Sequence, residues 1–525
     1  MNKVQILDCT LRDGGYCNGW SFGYDNIKKI IKGLVETNVD IIECGFLTDN
    51  IIYEKNESKF TELEQIREIV STSKENGLFV AMVNYGEYDI EKLPSYDGQA
   101  IDGIRVAFHK KDMEKALEFC LEIKKKGYKV FVQPMVSMSY SDQEFLELIA
   151  KVNTILPYAF YIVDSFGMMK QKDLARFFCL VDNNLSESVC MGFHSHNNLQ
   201  LAYSNAQFLV EKNISRHILI DTSIYGMGRG AGNLNTELFI QYLNERIGAS
   251  YDIKPVLMII DEIINDFYQR NYWGYSLPNY ISAVHNAHPN YAGYLDDKKT
   301  LTVEAMNEIF GMMDEEKKYS YDKLYIEGLY TRYLETGKVQ ELHEKELAEV
   351  LYAKRIILIA PGKSSYDQKE RIISASKREN TVVISVNFDY LYTEVDYIFL
   401  SNLRRYRELD DTIRKKCIVT SNIPTDDVYI KTRYIDLVNK IDAIKDNAGM
   451  MAIKFLLKYG VDEILLAGFD GYSHDVTENY AESQMEIVTR NSVLDTMNDG
   501  MTRMLREYSK MAKISFLTDE KHVII

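Results

Sequence analysis

The chain is 525 residues long, more than one ordinary hydrophobic core organises, so several domains are expected. Lysine and arginine number 61 against 77 aspartates and glutamates; the formal net charge of −16 repels phosphate backbones and anionic membranes and argues against a nucleic-acid partner. Seven scattered cysteines without a Cys-x-x-Cys pair exclude a disulfide framework and a structural zinc site, and the absence of a leader pattern or of an apolar run of roughly 18 residues points to a cytoplasmic protein with no membrane insertion.

From residue 1 to about 245, short β-branched runs alternate with segments of helical period. Strands are expected at Val4–Asp8, Val39–Cys44, Leu78–Val83, Ile101–Ala107, Val130–Met135, Phe160–Asp164, Met191–His194 and His217–Asp221. Eight parallel strands with intervening helices close a (β/α)8 TIM barrel, whose active site lies at the carboxyl ends of the strands. The polar residues of interest fall at those ends. Arg12-Asp13 follows the first strand, Asp164-Ser165 the sixth, and His194-Ser195-His196 the seventh. Two histidines spaced by two on a strand face the same side. With Asp13 they make a mixed oxygen and nitrogen site for a divalent cation, Mn2+ or Mg2+, with Arg12 placed to hold a developing negative charge. After the eighth strand, Gly226-Met227-Gly228-Arg229-Gly230-Ala231-Gly232-Asn233 is either a flexible loop or a cradle, and its position can bring Asn233 beside the metal.

Residues 246–340 read as a helical appendage completing the active site, with helical periods at Ile253–Tyr268 and Val303–Met313 around the aromatic-rich Tyr272–Tyr280. A connector is expected at 341–352. From 353 to 525 a second α/β domain follows, Rossmann-like, with strands at Arg355–Ile359, Thr381–Val386, Tyr397–Leu400, Lys416–Thr420 and Glu463–Ala467.

Thr10-Leu11-Arg12-Asp13-Gly14, Asp164-Ser165-Phe166-Gly167, His194-Ser195-His196-Asn197 and the glycine run ending at Asn233 resemble, in order, the motifs of the DRE-TIM metallolyase superfamily, which is HMG-CoA lyase-like. Within it, Gly-Ala-Gly-Asn and Asp-Ser-x-Gly are most similar to the 4-hydroxy-2-oxovalerate aldolase type. The resemblance implies Asp13, His194 and His196 as metal ligands with Asn233 beside them. It also implies Arg12 as the group steadying a pyruvate enolate, Asp164 and Ser165 at the substrate, and Tyr275, with Tyr280 fitting almost as well, as a substrate-contacting tyrosine. Arg105 and His109 are candidates to reach the pocket.

One departure matters: synthases and lyases of the group continue the first motif with an acidic residue and the aldolases with a histidine base, whereas Gly15-Tyr16-Cys17 stands here. Tyr16 takes the catalytic position only if its phenol is lowered by the cation. The expectation is a metal-dependent aldolase that forms or cleaves a 4-hydroxy-2-oxo acid from a 2-oxo acid and an aldehyde, in surface-polysaccharide or unusual-sugar synthesis, in a homo-oligomer. An acyl-CoA Claisen synthase and a non-catalytic binding barrel are the alternatives.

The second domain resembles the nucleotide-binding fold of some bacterial sialyltransferases. Gly362, Lys363 and Ser364 in the first turn, the helix start at Gly449, and the side chains of Asn387 and Asp470 are its expected nucleotide-sugar site.

Overall fold

The computed structural model describes residues 4–74, 77–212, 214–298, 301–335, 343–481, 489 and 491–525. Two compact units divide the chain: residues 1–290 with 314–321, and residues 291–313 with 322–525.

The first unit is built on a closed parallel sheet. Its strands are β1 (Val4–Asp8), β2 (Ile41–Leu47), β3 (Leu78–Asn84), β4 (Gly103–Phe108), β5 (Lys129–Pro134), β6 (Ala159–Asp164), β7 (Cys190–Ser195) and β8 (Ile218–Thr222). Each pairs with its chain neighbours, and β1 pairs with both β8 and β2, which closes the barrel. A two-residue strand, Lys59–Phe60, adds to the end of β2. All eight expected strands are present, and their ends differ from the expected ones by a few residues in either direction.

Alternation along the strands separates two cores. Ile6, Ile42, Phe79, Ala81, Ile104, Val106, Phe160 and Ile162 join the large cluster under the surrounding helices, while Leu7, Ile41, Val80, Phe131, Tyr161 and Leu219 fill the barrel interior. Their helices are amphipathic in the ordinary way. In Tyr24–Glu36, for example, Ile27, Ile30, Ile31 and Leu34 recur at spacings of three and four and are all buried.

The expected helical appendage 246–340 is shared between the units. Lys254–Arg270 is helical through a π turn at Ile260–Ile264 and belongs with the barrel, as does Leu277–Val284. Val303–Gly311 and Lys323–Glu335 belong with the second unit, where the Tyr330 hydroxyl donates to Asp446 at 2.8 Å and Lys445 pairs with Glu327 at 2.5 Å. The reason is side-chain chemistry: these helices carry polar partners for the second unit, which hydrophobic period alone does not reveal. Residues 336–342, which span the end of the expected appendage and the start of the connector, lie outside the described residues; Glu344–Leu351 is a helix.

The second unit holds a parallel sheet of β9 (Arg355–Ile359), β10 (Thr381–Val386), β11 (Tyr397–Leu400), β12 (Cys417–Thr420), β13 (Ile430–Thr432), β14 (Glu463–Ala467) and β15 (Lys513–Phe516), in the order β13-β12-β11-β10-β9-β14-β15. The sequence reading missed β13 and β15. Both are short edge strands, and only the neighbouring ladder identifies them as strands.

Candidate metal centre

The chain leaves β1 through Cys9 into a single helical turn, Thr10–Asp13, all four residues of which are buried. Outside contacts fix this turn. Ser58 Oγ donates to the Leu11 carbonyl at 2.6 Å, Trp20 Nε1 donates to the Arg12 carbonyl at 2.8 Å, and the Ile224 amide donates to Thr10 Oγ1 at 2.8 Å. Arg12 and Asp13 are thereby aimed inward over the barrel mouth, 6% and 1% exposed.

His194 lies on β7 and His196 just beyond it, their rings 5.1 Å apart and nearly perpendicular. Donor atoms of Asp13, His194 and His196 all lie within 4.8 Å of one another, with His196 Nδ1 3.8 Å from Asp13 Oδ2. Burial alone would raise the Asp13 carboxyl, but Arg12 and the two imidazoles hold it below its ordinary value, so it stays ionised. Burial pushes His196 down to about 3, against the pull of Asp13, so the ring is neutral and one of its nitrogens carries a free lone pair for a cation.

The residues fit a cation. His196 Nδ1 and Asn233 Oδ1 are buried without a hydrogen-bond partner, a costly arrangement for two acceptors unless something electropositive faces them. Asn233 Nδ2 donates to Asp13 Oδ2 at 2.6 Å, which places that amide on the ligand set. The glycine loop makes room for it. A Cβ on Gly228 would stand 2.2 Å from Asn233 Nδ2 and 2.7 Å from Asp13 Oδ2. A second trio, Cys9, His194 and Asp221, also converges, but burial drives the Cys9 thiol well above its usual range and Asp221 is committed elsewhere.

That commitment is a buried ion network under the site. Glu43 Oε2 accepts from Arg12 Nε at 2.9 Å and pairs with Arg105 Nη1 at 2.8 Å; Arg105 Nη2 pairs with Asp221, whose same oxygen meets His194 Nδ1 at 2.9 Å. Arg12 Nη1 completes the chain to Asp13 at 2.5 Å. Asp221 therefore fixes the His194 ring and leaves its other nitrogen for a cation. Of the residues considered for the pocket, Arg105 lies beneath it, fully buried in β4. Glu43 and Asp221 were missed by sequence reasoning. The available signal was a charged side chain inside an apolar strand, as in Ile42-Glu43-Cys44 and Ile220-Asp221-Thr222, which requires a buried partner.

The remaining expected residues are placed as follows. Ser165 is 8% exposed; its Oγ accepts from the Val136 amide at 2.8 Å and its carbonyl from Arg229 Nη2 at 2.8 Å. Asp164 accepts from the Met168 and Met169 amides at 3.0 Å each, so it shapes the loop, and burial raises it to about 7. Tyr16 is 43% exposed, packs edge-on against Trp20 at 4.7 Å and lies 5.7 Å from the Arg229 guanidinium; partial burial raises its phenol. Tyr275 is 56% exposed, its ring centroid 6.5 Å from that of Tyr280.

Relatives share the barrel region. A 4-hydroxy-2-oxovalerate aldolase from Geobacillus thermodenitrificans is 25% identical over 267 residues, covering 50% of this chain and 75% of that protein. An oxaloacetate decarboxylase from Mycobacterium tuberculosis is 24% identical over 244 residues, 46% of this chain and 70% of its own. The HMG-CoA lyase from Brucella melitensis superposes with a TM-score of 0.40 at 16% identity, covering 51% of this chain and 97% of that one. Residues 3–259, which hold the barrel, match the HMGL-like family.

Proposed function

We propose that the barrel is a divalent-metal-dependent carbon–carbon lyase that forms or cleaves a 4-hydroxy-2-oxo acid, with pyruvate as the 2-oxo acid. The observation that carries this reading is the convergence of an ionised Asp13 and two imidazoles, with unpartnered His196 Nδ1, directly beside Arg12. Asp13, His194 and His196 would hold the cation, with Asn233 adjoining. When bound, Mn2+ or Mg2+ supplies Lewis acidity toward the keto oxygen of a 2-oxo acid.

Arg12 is held through Nε and Nη1, so its position is set before substrate arrives, and its fixed charge favours the enolate more than the neutral keto form. Burial of the set excludes water from the electrostatic contacts and strengthens them. Ser165, on the loop after β6, stands at the rim as a substrate contact. The aldehyde partner enters from the side of Tyr16 and Arg229. Relatives carrying the names of an aldolase and a 2-oxo acid decarboxylase are consistent with enolate chemistry at this site.

The test follows pyruvate C3 proton exchange by NMR in D2O with Mg2+, together with elemental analysis of bound metal. The wild-type protein is expected to exchange, Asp13→Asn and His194→Ala to lose both metal and exchange, and Arg12→Lys to keep metal while slowing exchange by about 10²–10³-fold. Absence of exchange in the wild-type protein with metal bound would leave the non-catalytic reading. Condensation of acetyl-CoA without pyruvate exchange would favour the synthase.

A further inference from the structure

The loop after β8 sets Arg229 between two glycines whose conformations the surroundings dictate. Gly228 lies against Asn233 and Asp13 with no room for a Cβ, and Gly230 takes a left-handed backbone, φ 67°, with its Cβ position 2.8 Å from Asn198 Oδ1. Buried Asn198 accepts from the Ala231 amide at 2.8 Å, and the Gly228 carbonyl accepts from Cys17 Sγ at 3.2 Å. Contacts on either side of Arg229 thus hold the loop without its side chain.

That side chain is half-buried at the barrel mouth. Nη2 donates to the Ser165 carbonyl at 2.8 Å, and the guanidinium carbon lies 5.7 Å from the centre of the Tyr16 ring. Its charge is felt at Tyr16 after β1, His109 after β4, His196 after β7 and His288 beyond the helix Leu277–Val284, so it stands where those segments meet.

Charge balance sets Arg229 apart from the other arginines of the site. Arg12 is answered by Asp13 and Glu43, and Arg105 by Glu43 and Asp221. No carboxylate among the described residues pairs with Arg229: Asp13 is taken by Arg12, and Glu87, whose charge also reaches Tyr16, accepts from Asn84 Nδ2 at 3.2 Å. Even in the second unit the acid of the expected site is spent within the fold, since Asp470 accepts from the Ser364 amide at 2.8 Å and pairs with Lys521 at 3.5 Å. The Ser165 carbonyl occupies a single N–H of Arg229, and the rest of the guanidinium fork matches an oxyanion. In a chain of net charge −16, such a cation at the mouth draws an anion against the bulk field.

Depth decides which substrate it meets. Arg12, 6% exposed, is the inner arginine beside the metal ligands, whereas half-buried Arg229 stands nearer the rim, where the second substrate enters. On the reading that the barrel joins pyruvate to an aldehyde, we propose that Arg229 is a specificity residue that holds an oxyanion, carboxylate or phosphate, at the far end of the aldehyde. The anion itself is unchanged by the reaction. The new bond joins pyruvate C3, which has lost a proton, to the aldehyde carbon, while the carbonyl electron pair moves to the oxygen and takes up a proton. The product is a 4-hydroxy-2-oxo acid with a second negative group at its far end.

The test uses the full chain with Mg2+, pyruvate and aldehydes in matched pairs, butanal with 4-oxobutanoate and glyceraldehyde with glyceraldehyde 3-phosphate. In at least one pair the anionic member is expected to have a kcat/KM about 100-fold higher, and the pair that shows it tells carboxylate from phosphate. Arg229→Gln is expected to remove about 100-fold from that member, chiefly through KM, and less than about threefold from its neutral counterpart, with Arg229→Lys restoring part of the loss. Equal kcat/KM within both pairs would overturn the proposal. So would a pyruvate KM raised about tenfold by Arg229→Gln in C3 exchange without aldehyde, which would put the guanidinium on pyruvate. Ligand-observed NMR reads binding separately, with succinate and glycerol 3-phosphate as unreactive probes and glycerol as the neutral control. If the wild-type protein exchanges pyruvate but neither discriminates between aldehydes nor binds an anionic probe through Arg229, the specificity role falls and the enolate reading stands. Anion binding that Arg229→Gln loses, in a protein without pyruvate exchange, would support the oxyanion site and overturn only the enolate chemistry.

Discussion

Tyr16 stands where relatives of the resembled group carry a base, yet its surroundings favour the protonated phenol. Partial burial raises it, and Asp13 adds to the effect while Arg229 and Arg12 only oppose it. Near neutral pH such a group gives a proton rather than takes one. In the direction of carbon–carbon bond formation the aldehyde oxygen needs that proton, so Tyr16→Phe is expected to slow aldol addition by about 10²–10⁴-fold while pyruvate exchange changes only a few-fold. Parallel measurement of both rates checks this. Equal losses in the two would make Tyr16 part of enolisation instead.

At the level of elements, the barrel mouth depends on charges that strands β2, β4 and β8 carry into the interior. Arg105 answers two carboxylates at once, Glu43 and Asp221, and is itself fully buried. The pair-rich interior is costly to build, and removing the single cation is costlier still, because two buried carboxylates lose their partner. Arg105→Met is expected to destabilise the barrel by about 3–5 kcal/mol and to loosen His194, since Asp221 holds its ring. Denaturant unfolding reads the first effect and metal affinity the second. A variant of wild-type stability would show that water or protonation replaces the guanidinium. Sequence pattern reached these elements unevenly. The strands were legible because Val, Ile and Phe alternate within them, but the ion network was not, because Glu43, Arg105 and Asp221 are 62 and 116 residues apart in the chain and only barrel closure joins them.

For the whole molecule, two units with separate hydrophobic clusters predict two calorimetric transitions, of which one responds to metal. Saturating Mg2+ or Mn2+ at 100 times its dissociation constant should stabilise that transition by about 2.7 kcal/mol, an increment that EDTA removes. The same transition should carry a pH signature. Burial raises Asp8 to about 6 and Asp164 to about 7, both in the first unit. A carboxyl raised in the folded state binds its proton more tightly there than in the unfolded chain, so its contribution is complete below about pH 4 and is lost as pH rises to about 7. The buried neutral His196 contributes with the opposite sign over the lower part of this range, so the Asp164 component is read as a difference: in EDTA, scans from pH 4.5 to 8 should show the metal-responsive transition losing more stability with rising pH in the wild type than in Asp164→Asn. An Asp164→Asn variant with the wild-type pH dependence would contradict the assignment.

The sequence by itself determined the barrel and the α/β class of both halves, because each is written in local pattern, strand periodicity and a count of eight; it also singled out Asp13, His194 and His196, whose ligand atoms the fold brings within 4.8 Å of one another. Only the tertiary structure decided which helices of 246–335 join which unit, that Asp164 accepts from the Met168 and Met169 amides, and that Glu43, Arg105 and Asp221 meet in one buried ion network. Those outcomes depend on contacts between residues far apart in the chain and on the local dielectric around a titrating group. Neither quantity exists until the chain has folded.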